Sequence, residues 1–150
     1  MLCSRSEQET IDAGQALARS LPSRAVVLLI GNLGAGKTTF TKGMVAGLGV
    51  GEADEVSSPT FTLIHEYGDP PKLYHIDLYR LEEERQVASL GLDEIFDRNA
   101  IVVIEWGERF PRLMPAKRVE VRINYGDDED ERNIKIIDLP STNTLPQSVP

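Results

Sequence analysis

The chain has 150 residues, 41% hydrophobic and 27% charged, which suits one folded domain with a core of useful size and excludes global disorder. With Lys+Arg at 16 against Asp+Glu at 24, the net charge is −8, the opposite of what unaided binding to nucleic-acid phosphates requires. One cysteine, Cys3, excludes an internal disulfide and a multi-cysteine zinc site. The apolar run Ala25–Ile30 is far too short to cross a bilayer.

The opening MLCSRSEQET has no apolar segment of a secretory signal, so a cytoplasmic protein without membrane contact is expected, with Cys3 inert in a mobile N-terminal stretch. Ser6-Glu7-Gln8-Glu9 reads as a capping box opening a helix that Pro22 ends. Ala25–Ile30 is continuously apolar, the pattern of a strand buried on both faces of a parallel sheet. A Gly-rich turn follows, then a helix over Thr38–Leu48 stopped by Gly49, and a polar loop over Gly51–Ser58. Phe61–Tyr67 and Lys72–Leu78 flank Gly68-Asp69-Pro70-Pro71 and predict a hairpin. Leu81–Phe96 reads as two helical pieces broken around Gly91, and Ala100–Ile104 as a second fully apolar strand. Val119–Asn124 and Asn133–Leu139 alternate around Tyr125–Arg132, predicting a C-terminal antiparallel hairpin. Residues 1–140 thus read as one α/β domain, a three-layer P-loop NTPase-like fold with a mixed central sheet. Ser141–Pro150 reads as a disordered tail.

Gly31-Asn32-Leu33-Gly34-Ala35-Gly36-Lys37-Thr38 fits G-x-x-x-x-G-K-[ST] at every specified position, between an apolar strand and a helix. Glycines let successive N–H groups turn inward around a phosphate, and the following helix offers its positive end to the same anion. Lys37 can reach the β- and γ-phosphate oxygens, and the Thr38 hydroxyl can hold Mg²⁺. Such a loop needs a carboxylate at the end of another buried strand. Glu105 closes Ile101–Ile104 and offers one; its bland alternative is the first solvated residue after a strand. Asp77, in Tyr74–Arg80, sits near another strand end, and spacing leaves open which acid holds the metal.

Together these residues resemble the TsaE (YjeE) family, the small ATPases of bacterial tRNA threonylcarbamoyladenosine synthesis. The resemblance runs over residues 6–138 and rests on Gly31–Thr39, Ser58-Pro59-Thr60-Phe61, Tyr74–Leu81 and Ile104-Glu105-Trp106. The first motif is common to many P-loop proteins; the other three, in this order, are specific. Asn32 stands where the family commonly has Asp, and Gly107 where Pro is frequent. The resemblance implies ATP and Mg²⁺, with Thr38 and Glu105 at the metal and Lys37, Asp77 and Glu105 as the catalytic groups. Asp77 would orient water or complete the metal's outer shell. It also implies a nucleotide cradle of Gly34, Ala35, Gly36, Lys37, Thr38 and Thr39, a γ-phosphate-responsive loop at Thr60, and Trp106 beside the nucleotide. Glu7 and Thr10 would contact the base side, and Arg132 would make a C-terminal contact. The implied partners are TsaD and TsaB, with tRNA met only through their complex.

Two other readings share the P-loop. A small-molecule kinase should carry an acceptor pocket and an Arg-rich lid, and no such lid is evident; a non-hydrolysing scaffold would leave Asp77 and Glu105 idle. His65 and His75, both on the predicted hairpin, lack a Cys or His cluster and read as structural or surface residues. Asp127–Glu131, five acids in succession, reads as a solvated turn.

Overall fold

A computed structural model of the chain describes residues 2–140; the predicted tail, 141–150, lies outside them. In chain order the elements are β1 (Leu2–Ser4), α1 (Glu7–Ser20), β2 (Ala25–Ile30), α2 (Lys37–Leu48), β3 (Ile64–Tyr67), β4 (Leu73–Asp77), α3 (Glu84–Ala88), α4 (Leu92–Phe96), β5 (Ile101–Glu105), β6 (Arg118–Tyr125) and β7 (Arg132–Leu139). The strands form one seven-stranded mixed sheet in the order β1-β7-β6-β2-β5-β4-β3. β2 pairs in parallel with β5 and β6, and β4 in parallel with β5; the outer pairings are antiparallel.

The two apolar runs take the centre because only there are both faces of a strand covered. Val27 and Leu29 face the α1/α2 side with Val103, Val121, Phe40 and Met44, while Val26 and Leu28 face the α3/α4 side with Val102, Ile104, Ile76 and Phe110. Complete burial of a side chain such as Leu28 or Leu29 contributes about 1.5–3 kcal/mol. The predicted three-layer arrangement and C-terminal hairpin, β6–β7, are present. Helices α1 and α2 pack unusually close. A Cβ on Gly43 would collide with the Ile11 carbonyl and lie 2.8 Å from the Gln15 nitrogen.

Three local expectations change. The capping box is half formed: Ser6 Oγ accepts the Glu9 N–H, but Glu9 accepts the N–H of Arg5 instead of Ser6. The N-terminal stretch is a strand, with Cys3 opposite Asn133 of β7 and Ser4 buried. The strand predicted over Phe61–Tyr67 begins only at Ile64. Leu63 adopts φ +72°, and its N–H bonds back to Pro59 O at 2.6 Å, so the chain curls instead of extending.

Candidate nucleotide site

The Gly31–Gly36 loop that carries the predicted phosphate-binding motif joins β2 to α2 at the carboxyl end of the sheet, where open α/β sheets hold ligands. Gly34 and Gly36 take φ +80° and +109°, conformations that a side chain opposes. Gly36 also caps α2 without a side-chain hydrogen bond, so the helix's first-turn amides have no intrahelical partner and can serve an anion. Residues that sequence spacing could not relate are brought beside this loop by strand register. Asp77 and Glu105 are direct partners across the parallel β4–β5 pair, and Glu105 also lies opposite Leu29 of β2. Side chains of β4 and β5 alternate faces. Leu73, Ile101 and Val103 pack toward α1/α2, so Asp77 and Glu105 share that face with the P-loop.

Lys37, Thr38, Thr39, Gly34, Gly36, Thr60, Asp77, Glu105 and Trp106 all line a cleft of 470 Å³, joined by Leu33, Ser58 and Tyr79. Glu105 is 4% exposed and is the last strand residue, not the first solvated one. Asp77 Oδ2 accepts the Thr60 hydroxyl at 2.8 Å and the Ser58 hydroxyl at 3.4 Å, and Oδ1 accepts the Tyr79 N–H at 2.9 Å. Thr60 is thereby tethered to one of the two acids. Lys37 Nζ donates to Gly31 O at 2.9 Å and stands 3.6 Å above the centre of the Trp106 ring. Burial lowers its pKa, while Glu105, Glu108 and Asp77 oppose the shift, so a triphosphate would enter beside a cation already short of solvent. Trp106 holds this place with a left-handed backbone, φ +67°, and its ring tilts against that of Tyr79. The Gly at 107 has a packing reason, because a Cβ there would sit 2.9 Å from the Met114 sulfur.

The weaker transfers also converge. Glu7, Thr10, Gly34, Gly36, Thr39 and Arg132 line a smaller cleft of 230 Å³ on the other side of the loop. The Thr10 and Ser4 hydroxyls share a hydrogen bond of 2.7 Å, and Arg132 Nε donates to Ala35 O at 3.0 Å, so both also buttress the loop's surroundings. Ala35 is wholly buried, and its N–H closes the turn onto Asn32 O.

His75, expected to be a structural or surface residue, is buried on β4 with Nε2 2.5 Å from Glu105 Oε2, and Ser58 and Tyr79, present in the quoted motifs but given no role of their own, also line the cleft. The signal for His75 was its place two residues before Asp77, which puts it on the same face of the strand. His65 is only half-buried, on the edge strand β3.

The donor set of Thr38 hydroxyl and the Glu105 and Asp77 carboxylates is all hard oxygen, which fits Mg²⁺. Among the described residues no group of three or more His, Cys, Asp or Glu forms a metal cage. Mg²⁺ does not require one, since it is commonly held by one or two carboxylates with substrate phosphates and water.

A family model described as "Threonylcarbamoyl adenosine biosynthesis protein TsaE" matches residues 4–134. A Bacillus subtilis (strain 168) protein named tRNA threonylcarbamoyladenosine biosynthesis protein TsaE is 47% identical over 71% of this chain and 66% of its own length. A Nostoc protein of the same name is 41% identical over 91% of this chain and 88% of its own. A crystal structure of Bacillus subtilis YdiB superposes with a TM-score of 0.72 at 34% identity, covering 90% of this chain and 82% of that one. The motifs, the fold and these matches agree: the chain belongs to the TsaE family.

Proposed function

We propose that this protein binds Mg²⁺–ATP in the cleft beside Lys37 and hydrolyses it in support of tRNA threonylcarbamoyladenosine formation, acting on a TsaB–TsaD complex. The observation that carries the ATPase reading is the convergence of Lys37 and Thr38 with the paired carboxylates of Asp77 and Glu105 on one face of the sheet. Relatives named for this biosynthesis carry the process assignment. Thr38 and Glu105 would hold the metal, which when bound would offset charge on the phosphate oxygens. Lys37 binds the β/γ-phosphate oxygens, and the loop amides orient the chain of phosphates. Asp77, adjacent to Glu105 and not needed as a second cage ligand, orients the attacking water. Trp106 and Tyr79 form the aromatic wall that keeps solvent from Lys37.

Two features support a protein partner over direct tRNA binding. The net charge is −8, which repels a polyanion. Leu33, Phe61 and Tyr79 are exposed apolar residues at or next to the cleft, with Phe61 81% exposed directly after the tethered Thr60. An ordered Thr60 loop would present that apolar surface, and its release after hydrolysis would withdraw it.

The test is phosphate release by the protein alone, with tRNA, and with TsaB and TsaD. Slow release alone, accelerated by the two proteins together and lost in Lys37→Ala, is the expected result. Full-rate release alone, or stimulation by tRNA without the proteins, refutes the mechanism. Transfer of the phosphoryl group to an added nucleoside would favour the kinase reading instead.

A further inference from the structure

We infer that His75 is a positioning residue for Glu105, holding one carboxylate oxygen from inside the core so that the other serves the metal; this rests on the Mg²⁺–ATP reading above. His75 is completely buried in β4, on the face where Leu73, Val103 and Ile101 form an apolar core. Its Nε2 lies 2.5 Å from Glu105 Oε2. A carboxylate has only acceptor oxygens, so Nε2 is the donor of this pair and Nδ1 is the ring nitrogen left over. That Nδ1 has no hydrogen-bond partner among the described residues.

An unmatched buried polar atom is costly, and an aliphatic side chain would fill the same space without one. Packing therefore gives no reason for an imidazole at this position, whereas the carboxylate beside it does. Glu105 lines the cleft, and the imidazole engages one of its two oxygens from below. The carboxylate can no longer rotate freely, and Oε1 remains as the oxygen for a cation. Hydrogen-bonded outer partners of this kind commonly set the affinity of a metal ligand.

The two acids are restrained by different parts of the protein. Asp77 is held by the Ser58 and Thr60 hydroxyls and the Tyr79 amide, all on loops. Glu105 is held by a core strand. The metal-side acid thus keeps its orientation whatever the Thr60 loop does, while the aim of Asp77 follows that loop.

The experiment compares wild type, His75→Leu and His75→Gln by calorimetry of ATP binding across a Mg²⁺ series and in EDTA, alongside thermal melting. Gln places an amide N–H near the position of Nε2. In His75→Leu the Mg²⁺ concentration that gives half-maximal tightening of ATP binding should rise about tenfold or more. Its metal-free ATP affinity should stay within about twofold, its melting temperature should fall by several degrees because the buried Glu105 Oε2 loses its donor, and His75→Gln should recover both the stability and most of the Mg²⁺ response. A folded His75→Leu with the wild-type Mg²⁺ response overturns the inference. So does an equal loss of affinity with and without Mg²⁺, or failure of His75→Leu to fold, since each makes the imidazole a packing element. If wild-type ATP binding ignores Mg²⁺, the metal reading itself fails, a result distinct from all three.

Discussion

Removing the Thr60 hydroxyl while keeping its shape, as in Thr60→Val, should loosen the loop from Asp77 without touching the core. The bonds lost are the 2.8 Å contact from the hydroxyl to the Asp77 carboxylate and a 2.7 Å contact with the exposed Ser58 hydroxyl, which water can replace; Thr60 is half-buried. Hydrogen bonds to charged groups contribute about 1.5–3 kcal/mol, and partial exposure places this one at the lower end. The Ser58 hydroxyl, at 3.4 Å, is too long to compensate. A loss of about 1.5 kcal/mol is roughly a tenfold rise in the open population. Two amides report it. The Leu63 N–H donates to Pro59 O at 2.6 Å, and the Asp77 N–H donates to Leu63 O at 2.9 Å, so both are released when the loop lifts. Hydrogen exchange followed by NMR should show both amides exchanging about tenfold faster in Thr60→Val, with the Val103 amide of β5 unchanged. Unchanged exchange at Leu63 and Asp77 in a folded variant would refute the tether. An equal acceleration at Val103 would show that the change is global.

Gly43→Ala would ordinarily gain about 1 kcal/mol of helix propensity, yet here its Cβ meets the backbone of α1, so a net loss of about 2 kcal/mol is expected. Thermal melting should fall by roughly 4–8 °C; an unchanged or higher midpoint would show that the helices separate freely. Glu108 has one buried carboxylate oxygen without a partner, and burial raises its pKa above 4.5 despite opposition from its own backbone amide and Lys37. A raised folded pKa means its contribution is intact below 4.5 and is lost as pH rises through the folded value. Glu108→Gln should therefore match wild type near the acid end and become the more stable of the two toward neutrality; a pH-independent difference between their melting curves would contradict this.

What the sequence made legible was whatever local pattern determines. Ala25–Ile30 and Ile101–Ile104 are apolar at every position, which only a strand covered on both faces tolerates, and both sit at the sheet's centre. The Gly-rich turn of Gly31–Thr38 is likewise a local object, and it lies where the sequence placed it, between a buried strand and a helix, with Gly34 and Gly36 at positive φ. The pairing of Asp77 with Glu105 was not legible, because it depends on the register of two strands separated by two helices. His75 read as a structural or surface residue for the same reason, its partner being 30 positions away. β1 is three residues long and is stabilised by β7, so no periodicity announces it. Phe61–Leu63 carry strand-like composition, but the chain there is drawn into a turn toward Asp77, a tertiary demand that overrides local preference.

The support of the phosphate loop from the far end of the chain has a consequence for how the protein is made. Arg132 bonds the Ala35 carbonyl, Tyr125 bonds the Leu33 carbonyl, and β2 gains its parallel neighbours only with β5 and β6. A ribosome delivers Lys37 long before it delivers these residues. A nascent chain stalled short of Arg132 therefore holds the whole phosphate-binding motif without the braces that shape it. On the Mg²⁺–ATP reading, stabilisation by nucleotide, which would act only on the folded form, is consequently withheld until Arg132 has been added.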